Sequence, residues 1–262
     1  MPSPETEPRA AREAPSPPPL TPARERRAHR ILDTAAELIL RWGYDKTTID
    51  DIARTAGVAK GTIYLHWKSR EALFAALLRR DRVAMLEQVR EGLAGEPAGA
   101  TPRALFRHLA LAFMTRPLMK ASLLSDTEVL GKLIRQKRPT VQTAAAMRSL
   151  SDTYLGALRE HGAIRTDLSP VEQANVISAA LYGFFMITPH MPEDHRLSGE
   201  RLSELLAETL HRALDSGRPL SAEQNATVTR ATLAYLDDAL RVARERLRMS
   251  LTTTDLGKDH AR

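Results

Sequence analysis

Lys60, Gly61, Thr62, Tyr64, His66, Lys68 and Arg70 fall within eleven residues, and between them they carry hydrogen-bond donors, positive charge and one gap in side-chain bulk. Set on one short helix, they form an outer face made almost entirely of donors, with Gly61 leaving room for a close backbone approach. Such a face suits phosphate oxygens and base edges. Only Ile63 and Trp67, four apart, are spaced to anchor that helix to a core, while Leu65 falls between the two roles.

The residues just before supply the support. Thr48 is placed to cap a helix, and Asp50 and Asp51 occupy its first turn, where the helix dipole favours negative charge. Ile49, Ile52 and Ala53 share one face. Gly57 suits a turn position of positive φ, and small Ala53 and Ala56 let two helices cross closely. Two short helices joined by a tight turn form either a plain αα-hairpin or a helix-turn-helix, and the donor-rich outer face favours the second.

The segment from Thr47 to Phe74 resembles the N-terminal domain of TetR/AcrR-family transcriptional regulators, through Ala56-Gly57-Val58, Lys60-Gly61-Thr62-Ile63-Tyr64-Leu65-His66-Trp67 and Lys68-Ser69-Arg70-Glu71-Ala72-Leu73-Phe74. The likeness spans roughly residues 24 to 80, and beyond it only the general layout agrees. It implies phosphate contacts from Thr48, Tyr64, His66 and Arg70, and base-edge or groove contacts from Lys60, Gly61 and Thr62. Trp67 stands where the family usually has Phe, and Arg70 where it usually has Lys. The layout implied is all-α: a three-helix DNA-binding domain joined by a long helix to a helical ligand-binding and dimerisation domain.

Composition agrees. Lys and Arg total 38 against 32 acids, a net charge of +6. Ten Lys/Arg and six Asp/Glu fall within residues 23–70. A basic balance favours polyanions without separating DNA from RNA or acidic membranes. Cysteine is absent, which removes disulfides, thiolate catalysis and Cys-zinc sites. Neither an 18-residue apolar run nor an apolar signal core is found, so a cytoplasmic protein without membrane contact is expected. No phosphate-binding glycine loop, nucleophile motif or clustered metal ligands argue for an enzyme, a cofactor or a metal, and His190 and His195, five apart, make a weak metal signal.

Residues 1–22 hold eight of the sixteen prolines and read as a disordered arm. The DNA-binding domain is placed at 23–70, with helix one over about 23–42 bearing the stripe Ile31, Leu32, Ala35, Leu38, Ile39 and Trp42. A connecting helix and loop occupy 71–95, a regulatory and dimerisation domain 96–217, and a helical extension with tail 218–262. Further helices are expected at about 101–115, 119–135, 139–161, 169–188 and 199–215, punctuated by Pro117, Pro139, Gly162 and the capping box Ser169-Pro170-Val171-Glu172.

From Ile177 to Ile187 the helix is apolar on nearly every side, which calls for a core on one flank and a partner on the other. Ile177, Ala179, Gly183, Leu206 and Leu210 are therefore expected at a homodimer interface. Phe106, Phe113, Met114, Leu123, Met147, Tyr154, Tyr182 and Phe185 form either an apolar pocket for a small-molecule effector or ordinary core. The expected activity is that of a dimeric repressor released by a ligand from a near-palindromic duplex operator. An architectural DNA-binding protein without an effector is the alternative.

Overall fold

A computed structural model describes residues 21–96, 99–133 and 141–252, side chains of 141–147 excepted. The fold is all-α, and among the described residues the sole β feature is an isolated bridge between Ile164 and Asp215. The helices are α1 (Pro22–Trp42), α2 (Ile49–Ala56), α3 (Lys60–His66), α4 (Arg70–Ala94), α5 (Pro102–Thr115), α6 (Pro117–Leu124) and α7 (Thr127–Leu130). They continue with α8 (Val141–Glu160), α9 (Pro170–Ile187), α10 (Gly199–Leu214) and α11 (Ala222–Thr252). The proline-rich arm of residues 1–20 lies outside the described residues.

The N-terminal head is built on α1. Its spacing of apolar residues buries Ile31, Leu32, Ala35, Leu38 and Ile39, which pack on α2 and α4. Trp42 departs from the expected stripe. It is 38% exposed, with the Arg41 guanidinium 5.8 Å from its ring. Past the helix end the chain turns at Gly43, and Tyr44 takes over the core position instead, stacked edge-on against Phe74 at 5.0 Å.

α4 leaves the head and runs into the larger helical body. There α10 lies along α5, burying Leu202, Leu206, Ala207, Leu210 and Leu214, while α11 packs along α4 and α8. The 31-residue α11 runs antiparallel to α4: Arg79 donates to Ser250, Arg244 pairs with Glu87 at 2.8 Å and Arg90 with Asp237 at 2.9 Å. Leu236, Leu240 and Ala243 of its seam are buried against the same subunit.

The helix expected over 119–135 is interrupted. Ser125 takes a left-handed conformation (φ 53°), and the Asp126 carboxylate accepts from the amides of Glu128 and Val129. A short polar side chain bonding its own backbone stops one helix and caps the next. The break has a consequence for the head, because the α7 turn lies on the α1–α2 loop. The Val129 carbonyl accepts from the Tyr44 amide at 2.8 Å, and a Cβ on Gly43 would come within 2.5 Å of the Glu128 carbonyl oxygen. The head therefore meets the body through α4, through this turn and through α6, which packs on α1.

Candidate nucleic-acid interface

Each short helix of the head is held by local chemistry. The Thr48 hydroxyl accepts from the Asp51 amide at 3.1 Å, and the Asp51 carboxylate accepts in return from the Thr48 amide, which completes a capping box. The Thr48 hydroxyl also donates to that carboxylate, and these bonds hold the Asp51 pKa below the usual carboxylate range. Gly57 closes α2 in the left-handed region (φ 65°), as the turn requires. Ile63 and Trp67 are then 0% and 2% exposed, so the inner face of α3 is fixed in the core beside α2.

The outer face of α3 stays in solvent. Lys60, Gly61, Tyr64 and Leu65 are exposed, with Thr62 half-buried, and Lys68 follows on the exposed turn. A Cβ on Gly61 would meet nothing within 4 Å, so its missing side chain serves no contact inside the protein. Lys60 donates to Asp50 at 2.9 Å, a bond that raises its pKa, so its charge is partly spent before any DNA arrives. Asp50→Asn should release it, raising duplex affinity by roughly two- to fivefold and steepening the salt dependence. Binding isotherms at several salt concentrations check this, and an unchanged slope would show that Lys60 does not meet phosphate.

Three of the residues expected at phosphates are covered or already bonded within the chain. His66 is buried at 3% exposure beside Trp67, and its Nδ1 has no hydrogen-bond partner. Burial first, then the charges of Arg24 and Arg27, push its pKa down. In this conformation it packs beside Trp67 rather than standing in solvent as a donor. Arg70 is turned inward too: it donates to the Thr47 carbonyl at 3.1 Å and its guanidinium lies 4.0 Å from the Tyr44 ring centre. Burial raises the Tyr44 pKa despite Arg70, and the Tyr44 hydroxyl donates to Glu71. Thr48 carries the α2 cap, so any phosphate it meets must share its hydroxyl.

Leu65 and Arg24 also sit at this face. Leu65 is 62% exposed, an apolar side chain on a helix otherwise dressed in donors. Arg24 of α1 donates to the Leu65 carbonyl at 3.0 Å, bringing the basic start of α1 beside the end of α3. Helical spacing leaves Leu65 ambiguous, and no local pattern reports a bond spanning 41 residues.

Residues 31–77 match the family model described as bacterial regulatory proteins, tetR family. The head thus carries the DNA-binding segment that this family model describes. An uncharacterised HTH-type transcriptional regulator of Bacillus subtilis is 26% identical over 170 residues, 62% of this chain and 82% of that protein. Further curated relatives align over no more than 37% of their own length. Among solved structures, a protein from Rhodococcus sp. assigned to the TetR family aligns with TM-score 0.54 and 24% identity, over 73% of this chain and 100% of its own. The SmeT–triclosan complex aligns with TM-score 0.54 and 20% identity, over 75% of this chain and 99% of that one. The proteins that the chain resembles are helix-turn-helix transcriptional regulators, not enzymes.

The other two sets of expected residues are only partly brought together. Phe113 and Phe185 pack at 5.7 Å. Tyr154 instead joins α8 to α11, stacked on Tyr235 and bonded to Thr232 at 3.0 Å, and burial raises its pKa. Tyr182 is 43% exposed although its three-residue spacing puts it on the same side of α9 as the buried Phe185, and Phe106 is buried in α5. Met114 and Leu123 are half-buried, and the Met147 side chain lies outside the described residues. Of the interface set, Leu206 and Leu210 are both 0% exposed within one subunit, because the apolar face of α10 is consumed by α5. Ala179 and Gly183 are exposed and Ile177 is half-buried. Among the described residues no helix is long and apolar enough to cross a membrane, and no group of three potential metal ligands occurs.

Proposed function

We propose that this chain is a homodimeric, sequence-specific repressor that binds a near-palindromic duplex operator through α3 and leaves it on binding a small molecule. The observation that carries the DNA part is the division of α3 into an anchored apolar side and an exposed side of Lys60, Gly61, Tyr64 and Leu65. A helix of that kind, projecting from a rigid head, fits a major groove.

The dimer reading rests on α9. Val171, Tyr182, Met186 and Ile187 are 71%, 43%, 44% and 53% exposed, and Ala179 and Gly183 lie between them at helical spacing. An uncovered apolar stripe of this length on a regulatory helix suits a second copy. Two heads would then meet major grooves about 34–36 Å apart. The ligand part draws on the fold neighbour SmeT, which forms a complex with triclosan.

Selection of genomic fragments by the purified protein at about 150 mM salt, with light scattering on the same sample, tests the reading. Enrichment of a short near-palindrome by a particle of twice the chain mass is expected. Recovery of fragments without sequence preference would instead support an architectural protein, and a monomeric mass would remove the dimer.

A further inference from the structure

Beyond the end of α9 the chain makes two 3-10 turns, Thr188–His190 and Glu193–His195, before α10 begins. Between these turns and the two helices lies a cavity of about 230 Å³, walled by Phe184, Ile187, Met191, Leu197 and Leu202. Its walls are apolar, and the one permanently charged side chain lining it is Arg196. Arg196 is exposed and donates only to backbone carbonyls, to Met191 at 3.1 Å and Pro189 at 3.5 Å. Among the described residues no carboxylate pairs with it. Asp194, beside it in the chain, pairs with His195 at 3.0 Å. The nearby Thr188 hydroxyl is already spent on the Phe184 carbonyl.

We propose that this cavity binds a small amphipathic carboxylate, its apolar body among Phe184, Ile187, Met191 and Leu202 and its carboxylate on Arg196. A guanidinium has five N–H donors in a fixed fork, and carbonyl contacts leave several of them for a two-point contact with a carboxylate. The apolar walls would lose their water to the ligand body. Size sets the class. The volume is below the roughly 300–1,000 Å³ of sites for drug-sized molecules, and at about 30 Å³ per water it accommodates on the order of eight non-hydrogen atoms. That describes a short fatty acid or a single-ring aromatic acid.

The cavity shares Gly183 and Ile187 with the stripe of α9 assigned to the dimer, so a ligand here bears on the assembly step of the repressor reading, and its binding is tested without DNA so that the two readings fail separately. Isothermal titration of the full chain without DNA, with octanoate against 1-octanol, tests the site alone. Saturable octanoate binding is expected, with octanol at least tenfold weaker. Arg196→Gln should reduce octanoate affinity about tenfold or more and leave octanol unchanged. Met191→Trp, which fills the cavity from an exposed turn and spares the core, should abolish both. Equal binding of acid and alcohol, or octanoate binding indifferent to Arg196→Gln, overturns the proposal. So does octanoate binding that disappears as protein concentration rises and a dimer forms, since a second copy would then fill the cavity.

Discussion

Gly61→Phe is expected to weaken operator binding by more than a hundredfold while leaving the thermal midpoint of the free protein unchanged or slightly raised. The two halves of that expectation come from one geometry. In the free chain a Cβ at position 61 meets nothing within 4 Å, so a side chain can be added without strain. Glycine within a helix costs roughly 0.5–1 kcal/mol relative to alanine, so most replacements should help α3 form. The head tolerates a weak helix former there only if something outside the protein needs the space. With Ile63 and Trp67 fixing the orientation of α3, a phenyl ring at 61 would project from the same surface as Lys60 and Tyr64 and hold the helix off the groove floor. Binding curves with the selected operator, beside calorimetric melting, give both readouts. Unchanged affinity would mean that α3 does not enter the groove. Lost affinity together with a lower melting point would mean that the residue is structural after all.

The same helix shows what the sequence makes legible and what it hides. Local devices were readable: Thr48 as a cap, Gly57 as a left-handed turn, and Ile63 and Trp67 as anchors, because each depends on neighbours within four residues. What needed three dimensions was the fate of polar side chains with more than one option. His66 carries the donors of a phosphate ligand, but it packs buried beside Trp67. Arg70 prefers the Tyr44 face and the Thr47 carbonyl, partners 26 and 23 residues away. The body repeats the lesson. Leu206 and Leu210 have the spacing of an interface, and spacing cannot say whether α5 or a second subunit covers them. The run around Ser125 and Asp126 has enough helix formers to hide a break, and the Val129–Tyr44 bond, with Glu128 against Gly43, shows that the break docks the body onto the head.

Ending the chain at Leu220 should abolish folding of the body, although only an appended helix is removed. α11 buries Val228, Leu236, Leu240 and Leu251, together with Ala239 and Ala243, against α4 and α8. At about 1.5–3 kcal/mol for each fully buried large aliphatic side chain, the first four contribute on the order of 6–12 kcal/mol, an upper figure because the unfolded chain is itself partly collapsed. That is as large as the whole stability of an ordinary domain, about 5–15 kcal/mol. The ion pairs along the seam, Arg244–Glu87 and Arg90–Asp237, are too exposed to replace it. The placement matters for regulation as well as for stability. α11 splints the helix that carries the head, with its C-terminal end at Arg79 near the head side of α4. Leu240→Ala is the milder form of the same experiment: a loss of about 2–5 kcal/mol, read by chemical denaturation, in a chain that still folds. If α4 transmits ligand binding to the head, that variant should also lose part of its operator affinity though residue 240 is far from α3. A truncated chain that melts within a few degrees of the full one would show that α11 is dispensable, and would move the lever's support to α5 and the α7 turn.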